Sequence, residues 1–174
     1  MSASGTGAAA ARERAGASPR LVAVPGPGGN GQRPAPRPAR VVVFLGVEDD
    51  VRSRVAAALL THRSKGRVLA VSASPAAVDP DPAVAGSLAE LGIDLAGCRT
   101  RPPSAELLHG AELVVVMGYD QLAPAAARRT EDWCIDDPRG KDADTVRFIR
   151  DAIDRRVQRL LIRLGVAVPT RRTR

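Results

Sequence analysis

The side chains that could do chemistry in this chain gather in two short stretches. One is Gly46-Val47-Glu48-Asp49-Asp50-Val51-Arg52-Ser53 and the other is Asp136-Asp137-Pro138-Arg139-Gly140. Glu48, Asp49 and Asp50, met by Asp136 and Asp137, would make an oxygen-rich cluster of the kind that holds Mg²⁺ or Ca²⁺. The plainer reading places the three acids at a helix N-terminus, where the helix dipole favours each by about 0.3–1 kcal/mol. Arg52 can fork an oxyanion through its guanidinium, or pair with those acids. The ion pair is the simpler role, because one charge pair about 4 Å apart is worth roughly 4 kcal/mol at an effective dielectric near 20. Cys98 and Cys134 could form a redox pair, but their separate placement favours two buried or partly buried thiols. His62 and His109 fall near predicted helix ends, where an imidazole is a dipole partner. Trp133 is expected in the core.

The elements that must position these groups follow from the apolar pattern. Val41-Val42-Val43-Phe44-Leu45 is an unbroken β-branched and aromatic run, as in a strand buried on both faces. Val51, Val55, Ala58, Leu59 and His62 then recur on one helical stripe. The loop between them lies where parallel α/β folds bind ligands. A second strand is expected over 67–72, followed by a helix with Asp81 as cap, Pro82 at its first position and Gly92 at its end. A short helix over 103–109, a third strand over 112–117, a helix around 120–128 and a fourth strand at Trp133-Cys134-Ile135 complete the alternation. Asp142 can cap a long last helix whose Val146, Ile149, Ile153, Val157, Leu160, Leu161 and Leu164 hold one stripe. Strands alternating with helices predict a doubly wound parallel sheet, with loops 46–53 and 136–140 on one edge.

The bulk properties narrow the classes. A chain of 174 residues allows one domain of ordinary size. Residues 1–39 are so rich in Ala, Gly, Pro, Ser and Arg that a disordered tail is expected. The domain is expected over 40–166, with a basic tail at 167–174. Of the net charge of +7, residues 1–40 carry +5 and the last four residues +3, which leaves −1 on the folded part. Nucleic acid is therefore not an expected partner. No apolar run approaches the roughly 20 residues that span a membrane, and Met1 to Ala11 has no basic start of a secretory signal. Two distant cysteines give no disulfide framework, so a cytoplasmic setting is expected.

Several features recur in order along the chain: the strand and loop ending in Arg52-Ser53; Ser72-Ala73; Gly92-Ile93-Asp94-Leu95-Ala96-Gly97-Cys98-Arg99; Leu113-Val114-Val115-Val116-Met117; and Asp132-Trp133-Cys134-Ile135-Asp136-Asp137-Pro138. In these the chain resembles the low-molecular-weight protein tyrosine phosphatase superfamily, and within it looks most like the thiol-dependent arsenate reductases. The resemblance implies a three-layer αβα sandwich on a four-stranded parallel sheet, phosphotyrosine protein phosphatase I-like, with no cofactor. It also implies a first loop in which backbone N–H groups cradle an oxyanion, an arginine forks it and a cysteine thiolate attacks it.

Transferred position by position, Arg52 and Ser53 match the cradle's arginine and serine, and Asp137 matches the general acid before proline. Gly46 occupies the position of the nucleophile. Neither Cys98, where related runs usually have histidine, nor Cys134 stands in its place, and Met117-Gly118-Tyr119-Asp120 has no resolving thiol. The resemblance therefore leads to a catalytically inactive member that acts as a binding or regulatory module. Arg52 and Ser53 would be its anion-binding remnants, and an unidentified protein its partner. One alternative is residual phosphatase or arsenate reductase activity by a non-thiol or metal-assisted route. Another is a receiver-like signalling domain, which shares the opening strand and acids. That comparison fails at its late Lys-Pro, because the only lysines are Lys65 and Lys141.

Overall fold

Strand β1 (Arg40–Gly46) is dry on both faces: Val42 and Phe44 enter one apolar cluster, and Val43 and Leu45 enter another. This is the two-residue alternation of a strand covered on both sides. The computed structural model describes residues 40–46, 51–76, 79–117 and 126–166. The expected tails at 1–39 and 167–174, the acidic run 48–50 and most of the helix expected around 120–128 lie outside those residues. Residues 126–129 form a turn and bends.

Four further strands join β1: β2 (Val68–Ala73), β3 (Thr100–Arg101), β4 (Leu113–Met117) and β5 (Thr130–Asp132). Every pairing is parallel and the order is β3-β2-β1-β4-β5. The α/β class and the helix-flanked parallel sheet are as expected, but among the described residues the sheet has five strands, where four were expected. The added edge strand β3 is two residues long, too short to carry any periodicity. The last strand also lies earlier than Trp133-Cys134-Ile135. Trp133 N–H still donates to the Val116 carbonyl at 2.9 Å, and Trp133 and Ile135 point inward while Cys134 points out. The alternation of a strand is thus present there after the chain has left the ladder.

One face of the sheet is covered by α1 (Val51–Ser64), α2 (Pro82–Ala89) and α4 (Ala143–Arg163). The other is covered by the short α3 (Ala105–Gly110), through Leu107 and Leu108, together with Ala126 and Ala127. Helix α1 is buried more widely than its predicted stripe, because Ala56, Ala57 and Leu60 are enclosed along with Val55, Ala58 and Leu59. Its small side chains allow it to sit between the sheet and α4. His62 departs from the predicted stripe and is exposed.

The local signals act as their chemistry suggests. Asp81 accepts from the Ala83 N–H at 2.8 Å, with Pro82 in the first turn. Gly92 takes φ +73°, which lets the Ile93 N–H close on the Leu88 carbonyl at 3.1 Å beyond the end of α2. Asp142 caps α4, accepting from the N–H groups of Asp144 and Thr145 at 3.0 and 2.9 Å. All seven positions of the α4 stripe are buried. Helices α1 and α4 are also tied by a two-pronged Arg63–Asp154 pair, whose carboxylate accepts a third bond from Gln158 at 2.8 Å.

Phe44 is fully buried and meets Trp133 edge to face, with ring centroids 5.6 Å apart. Phe44→Ala is predicted to lose about 3–5 kcal/mol of stability, by truncation of a large buried side chain. The check is the urea midpoint, and a loss under about 1 kcal/mol would contradict this packing.

Candidate functional site

The chemistry-bearing residues meet at the C-terminal edge of the sheet. Strand β1 ends at the buried Gly46, opposite Met117 in the ladder, and α1 begins at Val51. The start of α1 therefore presents its N–H groups and partial positive charge at that edge. Glu48, Asp49 and Asp50 lie outside the described residues.

Arg52 and Ser53, in the first turn of α1, are both buried. Arg52 Nη1 donates to the Ile135 carbonyl at 2.5 Å, which fastens the start of the helix to the loop after β5. Ser53 Oγ lies 2.9 Å from Ser72 Oγ, which lies 3.0 Å from Thr100 Oγ1. Hydroxyls both donate and accept, so this is a three-member relay from α1 through β2 to the edge strand β3. Sequence reading singled out Ser72 as part of a motif without a role, and missed Thr100. Its only signal would have been a strand too short to recognise.

Arg54 completes the turn. Its Nε donates to the Cys98 carbonyl at 3.1 Å and its Nη2 to the Leu95 carbonyl at 3.3 Å. The Cys98 thiol in turn donates to the Arg54 carbonyl at 3.6 Å. Burial pushes the Cys98 thiol above its ordinary range, and the charge of Arg54 only partly opposes this. A thiol so placed stays protonated at neutral pH, and it is the thiolate that attacks.

Cys134 is exposed, which corrects the expectation that both thiols are at least partly buried. Its carbonyl accepts from Arg156 Nη1 at 3.0 Å. Cys98 stands just before β3 and Cys134 just after β5, at opposite edges of the sheet. Four strand spacings separate those edges by roughly 19 Å, far beyond the ~7 Å between Cα atoms that a disulfide can bridge. The structure thus keeps the two free cysteines apart. His62 and His109 are both exposed near helix ends, and His109 Nε2 lies 3.1 Å from Arg128 Nη2.

Asp136 is exposed and Asp137 half-buried. Asp137 accepts from the Arg139 backbone N–H at 2.9 Å and from its Nε at 2.8 Å, closing the loop upon itself. Burial alone would raise the Asp137 carboxyl. The hydrogen bonds and charge of Arg139, joined by the charge of Arg52, prevail and hold it below its ordinary value. Arg52 and Asp137, distant in sequence, are thus brought within electrostatic reach of one another. A carboxyl held low is ionised at neutral pH, whereas a general acid must carry a proton. Among the described residues, no group of three or more His, Cys, Asp and Glu side chains could hold a metal ion. The proposed partners of Asp136 and Asp137 in such a cluster are the undescribed Glu48, Asp49 and Asp50.

Residues 41–169 match the low molecular weight phosphotyrosine protein phosphatases, and the chain belongs to that family. Its relatives include arsenate reductases. A Halobacterium salinarum protein named "Putative arsenate reductase" is 37% identical over 71 residues, which cover 40% of this chain and 50% of that protein. The chain thus spans about half the length of that relative. An arsenate reductase solved in the phosphate-binding state is similar in fold, with a TM-score of 0.62 at 22% identity over 74% of this chain and 99% of that one. The thioredoxin-dependent arsenate reductase of Corynebacterium glutamicum aligns with a TM-score of 0.61 at 25% identity, over 75% of this chain and 64% of that one. Among the described residues, no helix is long and apolar enough to cross a membrane.

The depressed Asp137 fixes the sign of an acid effect. A carboxyl whose folded value lies below its ordinary 3.8 contributes stability that is full above 3.8 and is lost as pH falls through the folded value. Asp137→Asn is predicted to remove this contribution and flatten the acid limb of a plot of urea midpoint against pH. Identical acid limbs in the two proteins would contradict the Asp137–Arg139 latch.

Proposed function

We propose that this chain is a binding or regulatory member of the low-molecular-weight phosphatase family, in which the cradle no longer performs thiol chemistry. The observation that carries the reading is Gly46. It is the buried last residue of β1, at the position where the family resemblance puts the nucleophile, and glycine has no side chain to attack phosphorus or arsenic. The surroundings support it. Cys98 is held protonated at one sheet edge, Cys134 lies at the other, and Asp137 is ionised where a proton donor is needed. Arg52 and Ser53 are retained as anion-binding and structural groups. In this reading their ligand is an anionic group on a protein partner, met in the cytoplasm without a cofactor.

Purified protein is expected to turn over neither p-nitrophenyl phosphate nor arsenate with thiol donors, with or without added Mg²⁺. Turnover that Arg52→Ala abolishes would overturn the binding-only reading and favour a metal-assisted or other non-thiol route. A second variant tests the cradle itself. Gly46→Cys combined with Glu48→Gln, Asp49→Asn and Asp50→Asn is predicted to gain phosphate and arsenate binding in a calorimetric titration. Absence of any gain would count against assigning this loop as a cradle.

A further inference from the structure

Helix α4 divides its arginines into two groups. Arg147, Arg150 and Arg163 are matched to carboxylates: Arg147 to Glu90 and Asp144, Arg150 to Glu90 and Asp151, and Arg163 to Glu131. Arg155, Arg156 and Arg159 have no carboxylate partner among the described residues, and the hydrogen bond of Arg156 goes to the neutral Cys134 carbonyl. These three arginines line one side of an open groove of about 310 Å³. The segment from Cys134 to Asp136 lines the other, and Phe148 stands at the groove with 68% of its surface in water.

This is a local basic patch with an aromatic foothold, on a domain whose charge outside the two tails is slightly negative. Three guanidiniums against Asp136, the one carboxylate among the described lining residues, attract an anion, and an apolar side chain packed on the exposed Phe148 ring gains from removing both from water. We propose that the groove docks an acidic segment of a partner protein, with its carboxylates on Arg155, Arg156 and Arg159 and an apolar side chain on Phe148. A short acidic peptide with an apolar side chain fits three arginines beside one phenyl ring better than a nucleic acid does. A nucleic acid finds at this groove one aromatic ring for its bases instead of a series. The groove wall is also the segment whose Ile135 carbonyl holds Arg52, so the docked segment lies beside the cradle. The docking surface is distinct from the cradle, and it stands whether or not the cradle turns anything over.

The test uses the full chain and a fluorescein-labelled peptide of alternating glutamate and leucine, read by fluorescence polarisation at near-physiological salt. The expected result is saturable binding that weakens as salt rises. Arg155→Gln with Arg159→Gln should weaken it about tenfold, and Phe148→Ser several-fold, since charge at an interface and a central aromatic both carry affinity. All three residues are exposed, so unchanged circular dichroism is expected. If the double variant misfolds, Arg159→Gln alone should show a smaller loss in the same direction. Arg147→Gln, whose guanidinium is already paired, and Arg171→Gln with Arg172→Gln in the tail should leave binding within about twofold. No saturable binding, or equal binding by the wild-type chain and the groove variants, would overturn the proposal. So would oligoadenylate or phosphatidylserine vesicles that displace the peptide and lose affinity in the same double variant.

Discussion

The burial of α1 is the constraint on which the rest of this structure depends. The helix is enclosed by β1, β2 and α4, and Val55, Leu59 and Leu60 are removed from water together with the alanines between them. Each such aliphatic side chain is worth about 1.5–3 kcal/mol when fully buried, enough to hold the helix in one position. Its first turn then points three consecutive side chains at three different parts of the fold. Arg52 reaches the loop after β5, Ser53 reaches β2 and through it β3, and Arg54 reaches the turn at Leu95–Gly97 and Cys98. The C-terminal edge of the sheet is assembled around that turn.

This arrangement gives Arg52 and Ser53 work that does not depend on catalysis. A buried guanidinium must be hydrogen-bonded, because leaving it without partners costs several kcal/mol, and the Ile135 carbonyl supplies one acceptor. A buried hydroxyl is under the same constraint, and the Ser53–Ser72–Thr100 relay meets it. Arg52 and Ser53 thus have structural roles whether or not the loop before them performs chemistry. That is physically consistent with the proposed binding role of a family member that has glycine at position 46.

The charges follow a similar division of labour. Asp154 lies almost out of water, yet it is met by both prongs of Arg63 and by Gln158. Complete pairing of this kind offsets the desolvation that makes a half-satisfied buried ion costly. At the surface, Glu90 and Glu131 gather the arginines that face α2 and β5, and hydrogen bonds from Arg147 and Arg163 respectively hold those carboxyls below their ordinary values. Of the arginines facing the groove, Arg155 and Arg159 are exposed and Arg156 bonds only the Cys134 carbonyl among the described residues. Arginines that look alike in sequence thus divide, along α4, into matched pairs and a group without carboxylate partners among the described residues.

The sequence by itself determined the features that depend on near neighbours. The buried run of β1, the Asp81-Pro82 start of α2, the turn at Gly92, and the Asp142 cap and apolar stripe of α4 were all legible, because dihedral preference, capping and periodicity act within a few residues. The ordered motifs also carried the family. Tertiary structure alone decided whatever joins residues far apart in the chain. This includes the two-residue edge strand β3, the early end of β5, the outward turn of Cys134 and the reach of Arg54 to Cys98. It also includes the placing of Asp137 near Arg52. Arg52 and Ile135 are 83 residues apart and Ser53 and Ser72 are 19 apart. No local pattern encodes such a pairing, which exists only once the packing of α1 on the sheet has brought its partners together.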